Sequence, residues 1–195
     1  MIMQAQEQRH YSVEEYLELE VNSEERHAYL DGEIVLMSGG TPNHNKITLN
    51  LSATLNFALK HQPYEVYVAD QRLWIPSLRI FTYPDVMVMA EPIAFAEGRR
   101  DTLTNPILIA EVLSKSTRSY DKDEKFAAYR TIPSLQEYVL IDQYRLHVEQ
   151  YCKTETGKWL FSETEGDATL QLAALAFQIS LSDLYDKVDF SAEAE

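Results

Sequence analysis

Two acids interrupt runs that otherwise read as buried strands. Asp85 stands in Tyr83-Pro84-Asp85-Val86-Met87-Val88, and Glu111 in Pro106-Ile107-Leu108-Ile109-Ala110-Glu111-Val112-Leu113-Ser114. A carboxylate in an apolar strand costs free energy unless it is paired or bound to a metal. Two such acids on neighbouring strands suit one hard cation, because Mg²⁺ takes one or two carboxylates and completes its shell with waters and substrate phosphate oxygens. Either acid alone reads equally well as a strand end served by solvent. It is the pair that points to chemistry.

The elements that must position this pair follow from patterning. Ser12 with Glu15 has capping-box spacing and opens a helix with Val13, Tyr16 and Leu17 on one stripe. Tyr29 to Val35 reads as a hairpin around Asp31-Gly32. Thr41-Pro42 suits the cap and first turn of a helix that keeps apolar spacing through Ile47, Leu51, Leu55 and Leu59. Strands are expected at Glu65–Asp70, Arg72–Ile75, Asp85–Met89 and Ile107–Leu113, with a loop over Glu91–Asn105. The second two strands are apolar almost throughout, as strands covered on both faces are. Asp121 with Glu124 opens a short helix, Glu137–Ile141 is another buried strand, and Arg145–Lys153 with Lys158–Phe161 forms a hairpin. A last short helix follows Ser180, with Ser182 as its expected cap. The fold class is α/β, with a central mixed β-sheet flanked by helices and additional β-hairpins.

The stretch Ser114-Lys115-Ser116-Thr117-Arg118-Ser119-Tyr120-Asp121-Lys122-Asp123-Glu124-Lys125-Phe126-Ala127-Ala128-Tyr129 completes a wider pattern. Its other pieces are Tyr29-Leu30-Asp31-Gly32-Glu33, His44 at a helix head, Pro84-Asp85-Val86, Ile109 through Ser114, and Glu137-Tyr138 leading to Asp142. In order and spacing this resembles the Uma-two family, a branch of the PD-(D/E)XK nuclease superfamily with the restriction-endonuclease-like fold, over roughly residues 12 to 185. The resemblance implies a metal-dependent endonuclease with Asp85 and Glu111 as metal acids. It implies Mg²⁺ as cofactor, with Mn²⁺ as substitute. The superfamily's lysine normally lies two residues after the second acid, and here that position is Leu113. The resemblance moves the lysine onto the following helix, at Lys125, ahead of Lys115 and Lys122. Glu33 matches an N-terminal acid of the set, against an ordinary hairpin residue. His44 matches a family position that helps bind phosphate or metal. Ser114, Thr117, Arg72 and Arg79 are lesser phosphate contacts or plain loop and strand residues, and Tyr129, Tyr138 and Asp142 read as architecture.

Composition sets the bounds. At about 150 residues per domain, the 195 residues make one domain, with loose ends expected at 1–10 and 189–195. The longest apolar run, Leu172 to Phe177, is far short of the ~20 residues of a membrane span. The N-terminus lacks a signal-peptide stretch, and Cys152 is the single cysteine, so a reducing cytoplasm and no membrane are expected. The net charge of −14 opposes a phosphate-backbone partner. It reduces DNA to a weak, salt-sensitive partner. It also keeps two rivals open: an idle nuclease-fold module for binding or assembly, and a metal hydrolase of some other phosphorylated substrate. A homodimer is expected from the aromatic strands between Tyr138 and Trp159.

Overall fold

The computed structural model describes residues 9–37, 39–115 and 117–191. Ser12 caps helix α1 (Val13–Asn22), taking the Glu15 N–H while the Glu15 carboxylate takes its own. Strands β1 (His27–Leu30) and β2 (Glu33–Leu36) form the first hairpin. It turns through Asp31 and Gly32, both at positive φ, which a two-residue primed turn demands. Thr41 caps α2 (Pro42–Ala58), with Pro42 in its first turn.

Then come β3 (Tyr64–Val68), β4 (Arg72–Ile75), β5 (Ile80–Thr82), β6 (Val86–Ala90), β7 (Thr102–Leu103) and β8 (Pro106–Leu113). The helical crossover follows: α3 (Arg118–Tyr120), a π-helical turn (Asp121–Lys125) and α4 (Phe126–Tyr129). It leads to β9 (Glu137–Asp142). Hairpins β10 (His147–Lys153) with β11 (Trp159–Glu165), and β12 (Thr169–Leu172) with β13 (Phe177–Ser180), precede α5 (Leu181–Leu184).

The central sheet has six strands in the order β11-β10-β9-β8-β6-β3. Only β8 and β9 run parallel in it, and a parallel pair needs a crossover such as the one between them. Both faces are covered. Val86, Val88, Ala110, Val112, Val139 and Ile141 pack under Ile47, Leu51 and Leu55 of α2 and the β12–β13–α5 segment. Met87, Met89, Ile109, Leu113, Tyr138 and Leu140 face α4 and Leu73 and Ile75 of β4. The expected α/β architecture with a mixed sheet and added hairpins is what the chain adopts.

Several local expectations are corrected. A second sheet, β2-β1-β5-β4-β7, exists; β5 is too short to carry a legible alternation. The loop over Glu91–Asn105 contains β7, which pairs parallel to β4. The crossover helix opens at Arg118 rather than Asp121. Ser180, not Ser182, caps α5 by accepting from the Asp183 N–H. Asp189 is tied down: Asn43 donates to its carbonyl at 2.8 Å and accepts its N–H at 3.1 Å. Of the expected loose ends, 1–8 and 192–195 lie outside the described residues. No helix among the described residues is long and apolar enough to cross a membrane.

Leu55 and Phe57 separate core from surface on one helix, at 0% and 82% exposure. Leu55→Ala should cost about 2–5 kcal/mol through lost burial and a residual cavity. Phe57→Ala should stay within about 0.5 kcal/mol of wild type. Urea denaturation of both variants checks this, and equal losses would contradict the packing described.

Candidate active site

Antiparallel register decides where the two acids meet. β6 and β8 pair Val86 with Ala110 and Met87 with Ile109. Asp85, the bend residue just before β6, comes next along that register, and its charge acts on Glu111, on the side of the sheet with Met87, Ile109 and Leu113. Like charges close together on neighbouring strands are destabilising. Solvent relieves little of this, since the Glu111 residue is 2% exposed and the Asp85 side chain 19%.

Each acid is held by its own partners. Asp85 Oδ2 accepts the Val112 N–H at 2.7 Å and lies 3.1 Å from His44 Nε2. His44 comes from the first turn of α2, and that turn is fastened to the end of β8. Buried Gln143 accepts from the Thr41 hydroxyl and donates to the Leu113 carbonyl at 2.8 Å. Glu111 Oε1 accepts the Tyr129 hydroxyl at 2.7 Å and pairs with Lys125 Nζ at 3.1 Å. Lys125 Nζ also reaches Asp121 Oδ1 at 2.9 Å. The Tyr138 hydroxyl donates to the Asp121 carbonyl at 3.0 Å, which pins the π-helical turn to the sheet. Such turns recur at functional sites. This one aims Asp121 and Lys125 at the same point.

The charges answer to burial and to one another. Burial pushes the Glu111 pKa up; the Lys125 charge opposes this, and the charges of Asp85 and Asp121 add to it. For Asp85, burial is outweighed by the hydrogen bond and charge of His44 and by the Val112 N–H, so its pKa falls below the usual carboxylate value. Burial works against a charged His44, yet the hydrogen bond to Asp85 and the charges of Asp85 and Glu111 raise its pKa. Lys125 is raised as well, because the attraction of Glu111, Asp121 and Asp85 overcomes burial. It remains an ammonium. Beside it opens a cleft of roughly 400 Å³, walled by Leu30, Ile80, Tyr120 and Tyr129 among others.

The structure thus gathers Asp85, Glu111, Lys125 and His44. It does not gather Glu33, which sits on β2 of the second sheet and makes no hydrogen bond or ion pair with the cluster. Of the other lysines, Lys122 pairs with Glu149 and Lys115 lies over the Tyr144 ring. Arg72 pairs with Asp101 and Arg79 with Asp31. The Ser114 and Thr117 hydroxyls bond each other at 2.9 Å. Leu113, where a superfamily lysine would stand, is core. Asp121 and Tyr129 join the cluster as well. The family pattern included both, but sequence reasoning read Asp121 as a helix opener and Tyr129 as architecture.

Residues 13–183 match the Uma2 family, described as "Putative restriction endonuclease". The chain belongs to the Uma2 family. Two uncharacterised proteins of Synechocystis sp. are similar to it. One, sll1609, is 46% identical over 153 residues, covering 78% of this chain and 86% of the relative. The other, slr1290, is 33% identical over 181 residues, covering 92% and 93%. A crystal structure from Anabaena variabilis, described as a putative nuclease belonging to DUF820, superposes with a TM-score of 0.74. It covers 90% of this chain and 97% of its own at 20% identity, so the likeness is one of fold. That fold is the restriction-endonuclease-like one.

In this Uma2 protein Lys125 is the cation that lets Glu111 and Asp121 lie buried side by side. Breaking a buried pair from one side leaves an uncompensated charge, at about 3–5 kcal/mol. Lys125→Met should therefore lose stability of that order at pH 8. The deficit should shrink at pH 5. Without the ammonium the buried Glu111 carboxyl titrates at a higher pH when folded than when unfolded, so proton uptake favours the folded variant as pH falls. Denaturant melts at the two pH values test this, and a deficit independent of pH would refute it.

Proposed function

We propose that this chain is a Mg²⁺-dependent endonuclease that hydrolyses phosphodiester bonds of DNA, with Mn²⁺ as a working substitute. The observation carrying this reading is Asp85, bound to the Val112 N–H beside Glu111, with the Lys125 ammonium 3.1 Å from Glu111. The donor set fits a hard divalent cation: two shielded carboxylates supply oxygens, and Asp85, Glu111 and Asp121 outnumber the one lysine among them. No third His, Cys or acid closes a protein-only cage on the pair among the described residues. That suits Mg²⁺, which keeps waters and substrate oxygens in its shell. Asp85 and Glu111 would hold the ion. When bound, it supplies Lewis acidity and a water of lowered pKa.

The chain's own groups do the rest. Lys125, kept protonated by its acidic neighbours, donates to a phosphoryl oxygen and offsets the negative charge that grows there. Its raised pKa makes it a charge stabiliser rather than a base. Tyr129 fixes the Glu111 carboxylate, and His44 with the Val112 N–H fixes that of Asp85. The cleft beside Lys125 gives the sugar and base next to the scissile bond an apolar wall. Family membership supports the nuclease reading. A cytoplasmic location and a homodimer, in which a second copy widens the groove, complete it. The net charge of −14 favours one second reading, a metal hydrolase of a smaller phosphorylated substrate, at the same site.

Nicking of supercoiled DNA by the full chain should require Mg²⁺ or Mn²⁺ and weaken as salt is added. Asp85→Asn should lose both nicking and saturable Mn²⁺ binding by calorimetry. Lys125→Ala should keep Mn²⁺ binding and slow nicking by about 10²–10³-fold, the scale of one lost electrostatic partner. Metal-independent cleavage, or unchanged Mn²⁺ binding in Asp85→Asn, would overturn the proposal.

Metal affinity should also rise with pH. The raised Glu111 carboxyl must release its proton to bind, so below its pKa the affinity should climb by roughly tenfold per pH unit. Calorimetry with Mn²⁺ at pH 6 and pH 8, in buffers of different ionisation heat, reads both the trend and the proton released. A flat profile would rule out Glu111 as a ligand.

A further inference from the structure

The sheet that brings Asp85 and Glu111 together carries the same row onward. Glu111 pairs with Leu140, Leu140 with Glu149, and Glu149 with Glu163. On the neighbouring row His147 pairs with Glu165. His147, Glu149, Glu163 and Glu165 therefore share one face of β10 and β11. Strand spacing of about 4.8 Å puts Glu149 roughly 10 Å from Glu111.

We propose that His147, Glu149 and Glu163 form a second cation site, for a borderline divalent transition ion of the Zn²⁺ class. One ligand atom from each lies within 4.8 Å of the others. His147 Nε2 is 3.0 Å from Glu163 Oε1 and 3.4 Å from Glu165 Oε1. With metal–ligand bonds of about 2.0–2.1 Å, neighbouring ligands stand roughly 3.0–3.4 Å apart. A single ring N–H cannot serve both carboxylates, whereas a cation between them satisfies all three groups.

The histidine is built in rather than draped over the surface. Its side chain is 2% exposed and points into the cluster. Nδ1 is buried with no hydrogen-bond partner, so only the groups at Nε2 hold the ring. Its backbone is fixed by Tyr185, whose hydroxyl accepts the His147 N–H at 3.3 Å and lies within hydrogen-bond distance of the Asp142 and His147 carbonyls. Imidazole nitrogen with carboxylate oxygen selects Zn²⁺-class ions over Mg²⁺. This distinguishes the site from the oxygen-only pair at Asp85 and Glu111. Lys122, now on Glu149, would swing away on its long stem when the ion binds. It lies in the same π-helical turn as Lys125, so loading the second site bears on the turn that carries the candidate catalytic lysine. The site itself does not depend on the nuclease reading.

Co²⁺ serves as the spectroscopic probe, titrated into the chelator-stripped full chain. Wild type should develop visible d–d absorption that Zn²⁺ abolishes and excess Mg²⁺ leaves in place. Glu163→Gln, at a half-exposed position, should lose that absorption, with the Co²⁺ Kd raised at least about tenfold. Asp85→Asn should retain it. Zn²⁺ should raise the melting temperature of wild type and not that of Glu163→Gln, whose metal-free melt should match wild type and so exclude misfolding. Unchanged Co²⁺ absorption in Glu163→Gln, its loss in Asp85→Asn, or no saturable absorption in wild type would each overturn the site. None of these results bears on nicking by the Asp85–Glu111 pair.

Discussion

Two carboxylates, Asp85 at the head of β6 and Glu111 in β8, lie close together with little solvent to serve them, and much of the surrounding structure answers that constraint. Shielded like charges held close together are tolerated only where cations and hydrogen-bond donors surround them. Four elements supply these. β8 gives the Val112 N–H, α2 gives His44, the π-helical turn gives Lys125, and α4 gives Tyr129. Gln143 links the first turn of α2 to the end of β8, and Tyr138 pins the π-helical turn. These contacts are polar ones, made by residues of which Tyr129 and Tyr138 also pack in the core. They make sense as the support of a buried acid pair.

The same constraint accounts for the displaced lysine. A lysine two residues after Glu111 would share its face of the strand. That place belongs to Leu113, buried with Met87, Ile109 and Leu140. An ammonium there would have to reach past this core to find its partners. From the π-helical turn Lys125 arrives over the acids rather than beside them, and a single Nζ meets both Glu111 and Asp121.

What was legible in the sequence follows from range. Ser12 with Glu15, Thr41 with Pro42 and Asp31 with Gly32 act within a few residues, so the starts of α1 and α2 and the turn of the first hairpin could be placed. β8 showed itself as an apolar run with one acid, and the acid pair with its lysine stood out because charge is rare in such company. The second sheet did not show. β5 and β7 are short and borrow their order from neighbours far along the chain. Asp121 and Tyr129 were hidden for a related reason: their roles exist only once the crossover lies on the sheet. Glu33 shows the converse. It matches a family position in sequence, yet the hairpin that carries it belongs to the other sheet.

The acidity of the chain looks different once the charges are placed. Arg72, Arg79, Arg99, Arg118 and Arg145 are engaged with Asp101, Asp31 and Asp142, close to home. Few of these cations are spare for a long polyanion. Four acids, by contrast, follow one another along one face of the sheet: Asp85, Glu111, Glu149 and Glu163. A field of that sign repels phosphate until cations occupy it. Divalent ions bound along the row would reverse its local sign while leaving the rest of the surface acidic. Binding of a phosphorylated substrate would then be conditional on metal. The π-helical turn, with Lys125 over Glu111 and Lys122 over Glu149, bridges the two inner acids of that row, so a change in charge at either one is felt by the segment that serves the other.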